Sequence, residues 1–170
     1  MTNDQSGTVN VRRATVDDIE QIVPLFDAYR QFYKHESDPA TAREFLTKRL
    51  MRNESVIFLA SLAPDGDNGD NGDNGDTGTP HAVGFTQLYP IFSSTQLRTA
   101  WLLNDLFVAP EARRHGVGQA LLAQARTFGE SNGAVELMLQ TAVDNHAAQA
   151  LYTSMGWQRD NDYYVYLLSL

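Results

Sequence analysis

Residues Val108 to Leu122 read Val-Ala-Pro-Glu-Ala-Arg-Arg-His-Gly-Val-Gly-Gln-Ala-Leu-Leu, and the rest of the chain is best understood from this stretch outward. An apolar run ends at Pro110, a basic loop Arg113-Arg114-His115 follows, and Gly116 and Gly118 open an amphipathic segment that continues to Phe128. A strand, a glycine loop and a helix in that order present the unpaired N–H groups of the helix's first turn, at the positive end of its dipole. That is a site for an anion, and phosphate above all. The glycines let the backbone come close, and the arginines add charge-assisted hydrogen bonds. The loop has the form Arg-x-x-Gly-x-Gly, through Arg113, Gly116 and Gly118. It is neither a Walker loop, which needs Gly-Lys-Ser/Thr, nor a dinucleotide Gly-x-Gly-x-x-Gly. A corner with two glycines can also be purely structural, and His115 reads equally as a solvated loop histidine.

A second segment narrows the reading. Asn145, Ala148, Leu151, Tyr152, Gly156 and Trp157 form the pattern Asn-x-x-Ala-x-x-Leu-Tyr-x-x-x-Gly-aromatic. Together the two segments resemble, in order and spacing, the N-acetyltransferases of the GNAT family, and the likeness extends loosely over most of the chain. The resemblance implies one domain over residues 1–170 with a mixed α/β fold. Its sheet is mostly antiparallel, of six or seven strands flanked by about four helices, with a parallel pair splayed around the cofactor. It also implies acetyl-CoA as co-substrate, with no metal.

Composition agrees with one globular domain. The chain has 170 residues, 42% hydrophobic and 10% aromatic, enough to bury a core without staples. It has no cysteine, so disulfides, thiolate metal sites and a thiol nucleophile are excluded. The first residues, Met-Thr-Asn-Asp-Gln-Ser-Gly, have neither a basic start nor an apolar stretch, and the run Val56 to Ala63 is too short to span a membrane. A cytoplasmic location is expected. Of the formal charge of −8, five negative charges (Asp65, Asp67, Asp70, Asp73 and Asp76) lie in one segment, and the remainder is −3. No basic stripe of the kind nucleic acids need is present.

Hydrophobic spacing predicts the element order. Val9–Arg13 reads as a first strand. Thr15 opens a helix with Asp17 and Asp18 in its first turn and Ile19, Ile22, Val23, Phe26 and Tyr33 on one face. A second helix covers Pro39 to Met51. Val56–Leu62 and Ala82–Tyr89 read as an antiparallel pair, Trp101–Val108 as a fourth strand and Val117–Phe128 as a helix. Val135–Thr141 is expected as a buried strand, Asn145–Ser154 as a helix and Tyr163–Leu168 as a last strand. Trp101 and Trp157 read as core. Over 63–80 a repeated Asp-Asn-Gly unit reads as a flexible acidic hairpin insertion. Neither the EF-hand order nor the Gly-Gly-x-Gly-x-Asp nonapeptide is met there. The four histidines, His35, His81, His115 and His146, have no ligand spacing. Gly129-Glu130-Ser131-Asn132-Gly133 fits Gly-x-Ser-x-Gly but runs from helix to strand, the reverse of a nucleophile elbow.

The resemblance also implies roles. Arg113, Arg114, His115, Gly116, Val117, Gly118 and Gln119 would hold the pyrophosphate of the coenzyme. Leu106, Phe107 and Val108 would meet the pantetheine arm through main-chain groups and direct an N–H at the thioester oxygen. Tyr152 would be the general acid for the leaving thiolate, its phenol pKa near 10 suiting that task; an isolated tyrosine on such a helix would read as core. Asn145, two helical turns earlier, would bond the pantetheine or a water, and it also suits an N-cap. Asp105 is the best placed carboxylate to take a proton from an amine, with Glu136 a weaker rival. The polyamine-acetylating branch carries Glu-Asp-Leu/Phe where this chain has Asn104-Asp105-Leu106, so Asp105 is equally a structural or substrate-binding carboxylate.

Tyr29, Phe32, Tyr33, Tyr89 and Phe92 supply aromatic surface near the expected acceptor cleft. At helical spacing such a stripe is more often core, and in a cleft it would receive a cation. Tyr29, Tyr33 and Asn104 are the residues expected to meet the substrate. The expected reaction is direct acetyl transfer to a primary amine, with a small molecule (a polyamine, an amino acid or a related metabolite) as acceptor. A protein lysine or N-terminus, or a silent acyl-CoA-binding module, are the alternatives. A homodimer is compatible with the family resemblance but specified by no residue.

Overall fold

The computed structural model describes residues 8–63 and 81–170. The acidic repeat lies outside them apart from Ala63. The described chain falls into two compact units, one up to Gln140 and one from Thr141 to Leu170.

The first unit is built on a five-stranded sheet in the order β1 (Val9–Arg13), β2 (Val56–Leu62), β3 (Ala82–Ser93), β4 (Arg98–Val108) and β5 (Leu137–Met138). The first three pairings are antiparallel and β4–β5 is parallel. Helices α1 (Ile19–Phe32) and α2 (Pro39–Met51) lie over one face, where Phe26 and Tyr29 meet Phe85. Helix α3 (Val117–Ser131) covers the other, where Phe128 packs on Phe58 and Trp101. The core under α1 is Ile19, Ile22, Val23 and Leu25 against Ile57, Leu59, Phe85 and Phe107.

Local signals fix the ends of these helices. Thr15 and Asp18 form a capping box around a 3₁₀ turn, Val16–Asp18, that leads into α1. Asp38 caps α2 by accepting from Thr41 N at 3.0 Å, with Pro39 in the first turn where a missing N–H costs nothing. Buried Asp27 ties the α1–α2 connection. It accepts from Gln31 Nε2 at 2.9 Å, Ser37 Oγ at 2.7 Å and Asp38 N at 2.8 Å.

Strand β4 carries an irregularity that decides the site. Gln87 pairs with Asp105 and Leu88 with Leu103, so Asn104 is an extra residue on β4. Main-chain directions agree. Trp101 N–H donates to Glu136 O, toward β5, whereas Ala109 N–H donates to Val83 O, toward β3. Residues an even number apart face the same edge of an unbroken strand, so one inserted residue must lie between them. Beyond it, Leu106 and Val108 turn their main-chain groups away from β3. The parallel partner is gone there, because β5 meets β4 only at Trp101 and Leu102. The parallel pair is therefore splayed beyond Leu102.

Two expectations need correcting, and they reduce the strand number from six or seven to five. Val135–Thr141 contributes only the two residues of β5, and it is not buried as a whole: Glu136, Met138 and Gln140 are exposed. Tyr163–Leu168 forms no strand, and all its side chains from Tyr163 to Leu168 are exposed. Its aromatic and aliphatic composition, Tyr-Tyr-Val-Tyr-Leu-Leu, has strand propensity, but a strand exists only where its main-chain groups meet a neighbour's, and no described strand pairs with it. The second unit instead consists of α4 (His146–Ser154) and irregular chain after it. Trp101 and Trp157 are half-buried rather than core. Among the described residues, no helix is long and apolar enough to cross a membrane.

Candidate active site

Strand β4 passes through a 3₁₀ turn, Pro110–Ala112, into the basic loop and α3. Arg114 has φ 67° and Gly116 φ 78°, both left-handed. A side chain on Gly116 would meet nothing within 4 Å, so conformation and not space calls for glycine there. Gly116 is the N-cap of α3 and has no side chain with which to cap it. The N–H groups of Val117, Gly118 and Gln119 in the first turn thus lack a side-chain acceptor from the N-cap. Arg113, Arg114 and His115 are exposed beside them. Arg113 Nε donates to Val108 O at 3.1 Å, which ties the loop to the outward-turned main chain of β4.

Leu106 and Val108 present main-chain groups at the uncovered edge, one residue to each side of Phe107. Phe107 pairs inward with Phe85, and its ring lies under Tyr29, with centroids 6.3 Å apart. A splayed edge whose Leu106 and Val108 main-chain groups face no strand among the described residues, next to a helix start without a side-chain cap and with two arginines, suits an extended ligand with a phosphorylated end. The donor set therefore fits a coenzyme of that shape.

The bulge places Asp105 on the α1 face, with Phe107, and leaves Trp101 on the α3 face. Asp105 is 4% exposed. Asn104, itself exposed, donates Nδ2–H to Asp105 Oδ1 at 3.1 Å, and Thr86 Oγ1 donates to the Asp105 main-chain oxygen at 2.8 Å. The Tyr29 hydroxyl reaches the same carboxyl. Burial pushes the Asp105 carboxyl above the usual carboxylate range, while the bonds from Asn104 and Tyr29 oppose that rise. Tyr89, on the same face, is pushed up to about 12 by burial and by the negative charge of Asp105, against the pull of Arg49.

Of the expected substrate residues, Tyr29 and Asn104 thus converge on Asp105. Tyr33 stacks edge-on against Tyr29 with ring centroids 5.1 Å apart and is exposed, as are Phe32 and Phe92. Glu136 is exposed and serves β4 through its main-chain oxygen. Two buried polar residues escape sequence reasoning. Gln87 lies opposite Asp105, and its Nε2 donates to Ser55 Oγ at 2.8 Å. Ser55 directly precedes the apolar run of β2, Gln87 interrupts that of β3, and no motif singles out either. Among the described residues, no cluster of His, Asp and Glu could hold a metal ion.

In the second unit, Asn145 caps α4 by accepting from Ala148 N at 3.2 Å. Tyr152 lies two turns further along, half-buried, its ring 6.2 Å from that of Trp157. The Trp157 N–H closes the helix on the Tyr152 carbonyl at 3.0 Å. The Asn, Tyr and Gly-aromatic positions are thus cap, helix body and helix end of one element.

Comparison with known proteins agrees with this geometry. The family model for the acetyltransferase (GNAT) family matches residues 22–157. An uncharacterised N-acetyltransferase, YhfO, of Bacillus subtilis is 40% identical over 162 residues, 95% of this chain and 98% of the relative. A crystal structure of a probable acetyltransferase superposes with a TM-score of 0.80 at 40% identity, covering 95% of this chain and 97% of the other. An aminoglycoside N(6')-acetyltransferase of Klebsiella aerogenes is 29% identical over 126 residues, 73% of this chain and 70% of that protein.

Proposed function

The chain belongs to the acetyltransferase (GNAT) family and is an N-acetyltransferase, and on that premise we propose that it moves the acetyl group of acetyl-CoA to a primary amine of a small molecule. Acetyl-CoA supplies an activated acyl group on a thiolate leaving group. The residues Arg113 to Gln119 hold its pyrophosphate by main-chain N–H groups and charge. Leu106 and Val108 bind its arm along the splayed edge, and a main-chain N–H there steadies the negative charge that develops on the acyl oxygen.

Asp105 accepts the proton that the ammonium form of the substrate must lose before nitrogen can attack. Its raised pKa brings it nearer to that of the amine. Tyr152 supplies the proton to the departing sulfur, and Asn145 bonds the arm or a water beside it. Tyr29, Tyr33 and Asn104 line the approach of the amine. The observation that carries the reading is the convergence of Asn104 and Tyr29 on a buried carboxylate one bulge away from the cofactor edge. A small polyamine or an aminosugar suits that acidic, aromatic approach, and the aminoglycoside-acetylating relative supports the same class.

The test is release of CoA from acetyl-CoA over a panel of polyamines, aminoglycosides, amino acids and lysine peptides. The chain has no cysteine, so a thiol reagent reports CoA alone. Turnover with a small amine is expected, and Tyr152→Phe should lower kcat by about 10²–10⁴-fold. Turnover with peptides only would refute the small-molecule acceptor, and tight binding without any turnover would favour a silent acyl-CoA module.

A further inference from the structure

Gln87 and Asp105 are directly paired across β3 and β4 and share the face under α1. Gln87 is 0% and Asp105 4% exposed. Each keeps a buried oxygen with no hydrogen-bond partner, Gln87 Oε1 and Asp105 Oδ2. Two unmet acceptors on opposed residues are mutually unfavourable while Asp105 is an anion.

The orientation of the amide is set from the other side. Gln87 Nε2 donates to Ser55 Oγ, and Ser55 stands just before β2, the neighbour of β3 away from β4. With its nitrogen held on the β2 side, the planar amide has its oxygen left over for the side of β4, where Asp105 is the paired residue. One proton reconciles the pair. A neutral Asp105 carboxyl carries an O–H donor, and the Cβ atoms of opposed residues, about 5 Å apart, bring it within reach of Oε1.

We infer that Gln87 is a positioning residue for acetyl transfer, its Oε1 accepting the hydrogen bond of the Asp105 carboxyl when that group carries the proton taken from the acceptor amine. The inference rests on Asp105 being the base. The substrate's N–H bond breaks and leaves its electron pair on nitrogen for attack. The proton forms the O–H of Asp105, Gln87 holds that O–H, and the proton returns to water after product leaves. Ser55 keeps the amide from turning its NH₂ to the carboxylate, which would favour the anion instead.

The other groups facing Asp105 are Asn104, Tyr29 from α1, Tyr89 from β3 and, beyond Tyr89, Arg49 from α2. Arg49 is engaged by Glu54, with Nε to Oε2 at 2.7 Å. Burial favours the neutral acid, and Asn104 and Tyr29 favour the anion; the inferred bond to Gln87 would add to the effect of burial.

The test is a carbon-13 carboxyl NMR titration of Asp105 in the full chain, assigned by Asp105→Asn, alongside the pH profile of kcat/KM. Gln87→Met removes the acceptor at similar volume, and Ser55→Ala frees the amide to turn. Both variants should lower the Asp105 midpoint by about one pH unit, and the acid limb of kcat/KM should move down with it. A midpoint unmoved or raised in both variants would overturn the role of Gln87. A lowered midpoint with an unmoved kinetic limb would overturn Asp105 as the base, so the two failures are told apart. Ser55→Ala, the smaller change, carries the test if Gln87→Met does not fold.

Discussion

Gly84 packs against β4 and the start of α3, on either side of the loop proposed to hold the coenzyme, and replacing it by alanine tests how tightly that junction is built. A Cβ there would lie 2.9 Å from the Phe107 carbonyl oxygen and 3.1 Å from Val117 Cγ1, with Leu121 Cδ1 at 3.5 Å. Ordinary contact begins near 3.4 Å, so the oxygen must yield about 0.5 Å (3.4 − 2.9). That oxygen belongs to a residue paired with Phe85 near the end of β4 and cannot simply rotate away. Val117 is the first residue of α3 and is buried, so the helix start must yield as well. Overpacking of this kind costs about 1–3 kcal/mol, or roughly 2–12 °C in Tm for a chain of this size.

Because the displaced parts are β4 and the N-terminus of α3, KM for acetyl-CoA should rise about threefold or more. Gly129→Ala is the control. Its nearest neighbour would be Leu137 Cδ2 at 3.1 Å, the far end of a flexible side chain, and alanine gains up to about 1 kcal/mol of helix propensity. Calorimetric melting and acetyl-CoA saturation curves measure both variants. The reasoning is refuted if Gly84→Ala melts with the wild type, or if Gly129→Ala is the more damaging change.

Other outcomes are expected. The Asp18 carboxyl is held low by the bidentate Arg12 bond, and Asp27 is held low because its bonds from Ser37, Asp38 N and Gln31 outweigh burial. Both pKa values are lower folded than unfolded. Their contribution is therefore full above the unfolded value, near 3.9, and is lost as pH falls through the folded ones. Asp27→Asn should cost about 1–3 kcal/mol at neutral pH and flatten this acid loss, read by urea melts between pH 2 and 7. Asn145→Ala should weaken α4 by about 1 kcal/mol, whereas Asn145→Ser keeps the cap; if the serine variant also keeps KM for acetyl-CoA, Asn145 is a cap alone. Ser61 and Ala82 are paired neighbours on β2 and β3, so replacing residues 65–78 by a short turn should leave acetyl-CoA turnover nearly unchanged. A large loss of turnover would assign that segment a part in the reaction.

Much of the fold was legible because its signals are local. The capping residues Thr15, Asp38 and Asn145 bond to the first turns that follow them, and α2 has the expected bounds, Pro39–Met51. A continuous apolar run marked β2 and helical spacing marked α3, whereas the left-handed conformation of Gly116 is seen only in the structure. The late strands were not legible. Tyr163–Leu168 and Val135–Thr141 have strand composition, but pairing depends on a neighbour that composition does not describe.

The candidate site divides along the same line. Sequence by itself determined the glycine-arginine loop, the Asn145–Tyr152 helix and hence the family, because those chemistries are carried by contiguous residues at fixed offsets. Only the tertiary structure decided where Asp105 points. Read with an unbroken period of two, Asp105 would share a face with Trp101, among the side chains under α3. The extra residue at Asn104 moves it to the opposite face, against Tyr29 and across from Gln87. A bulge is a mismatch in length between two paired strands, and it is a property of the pair β3–β4 rather than of either sequence alone.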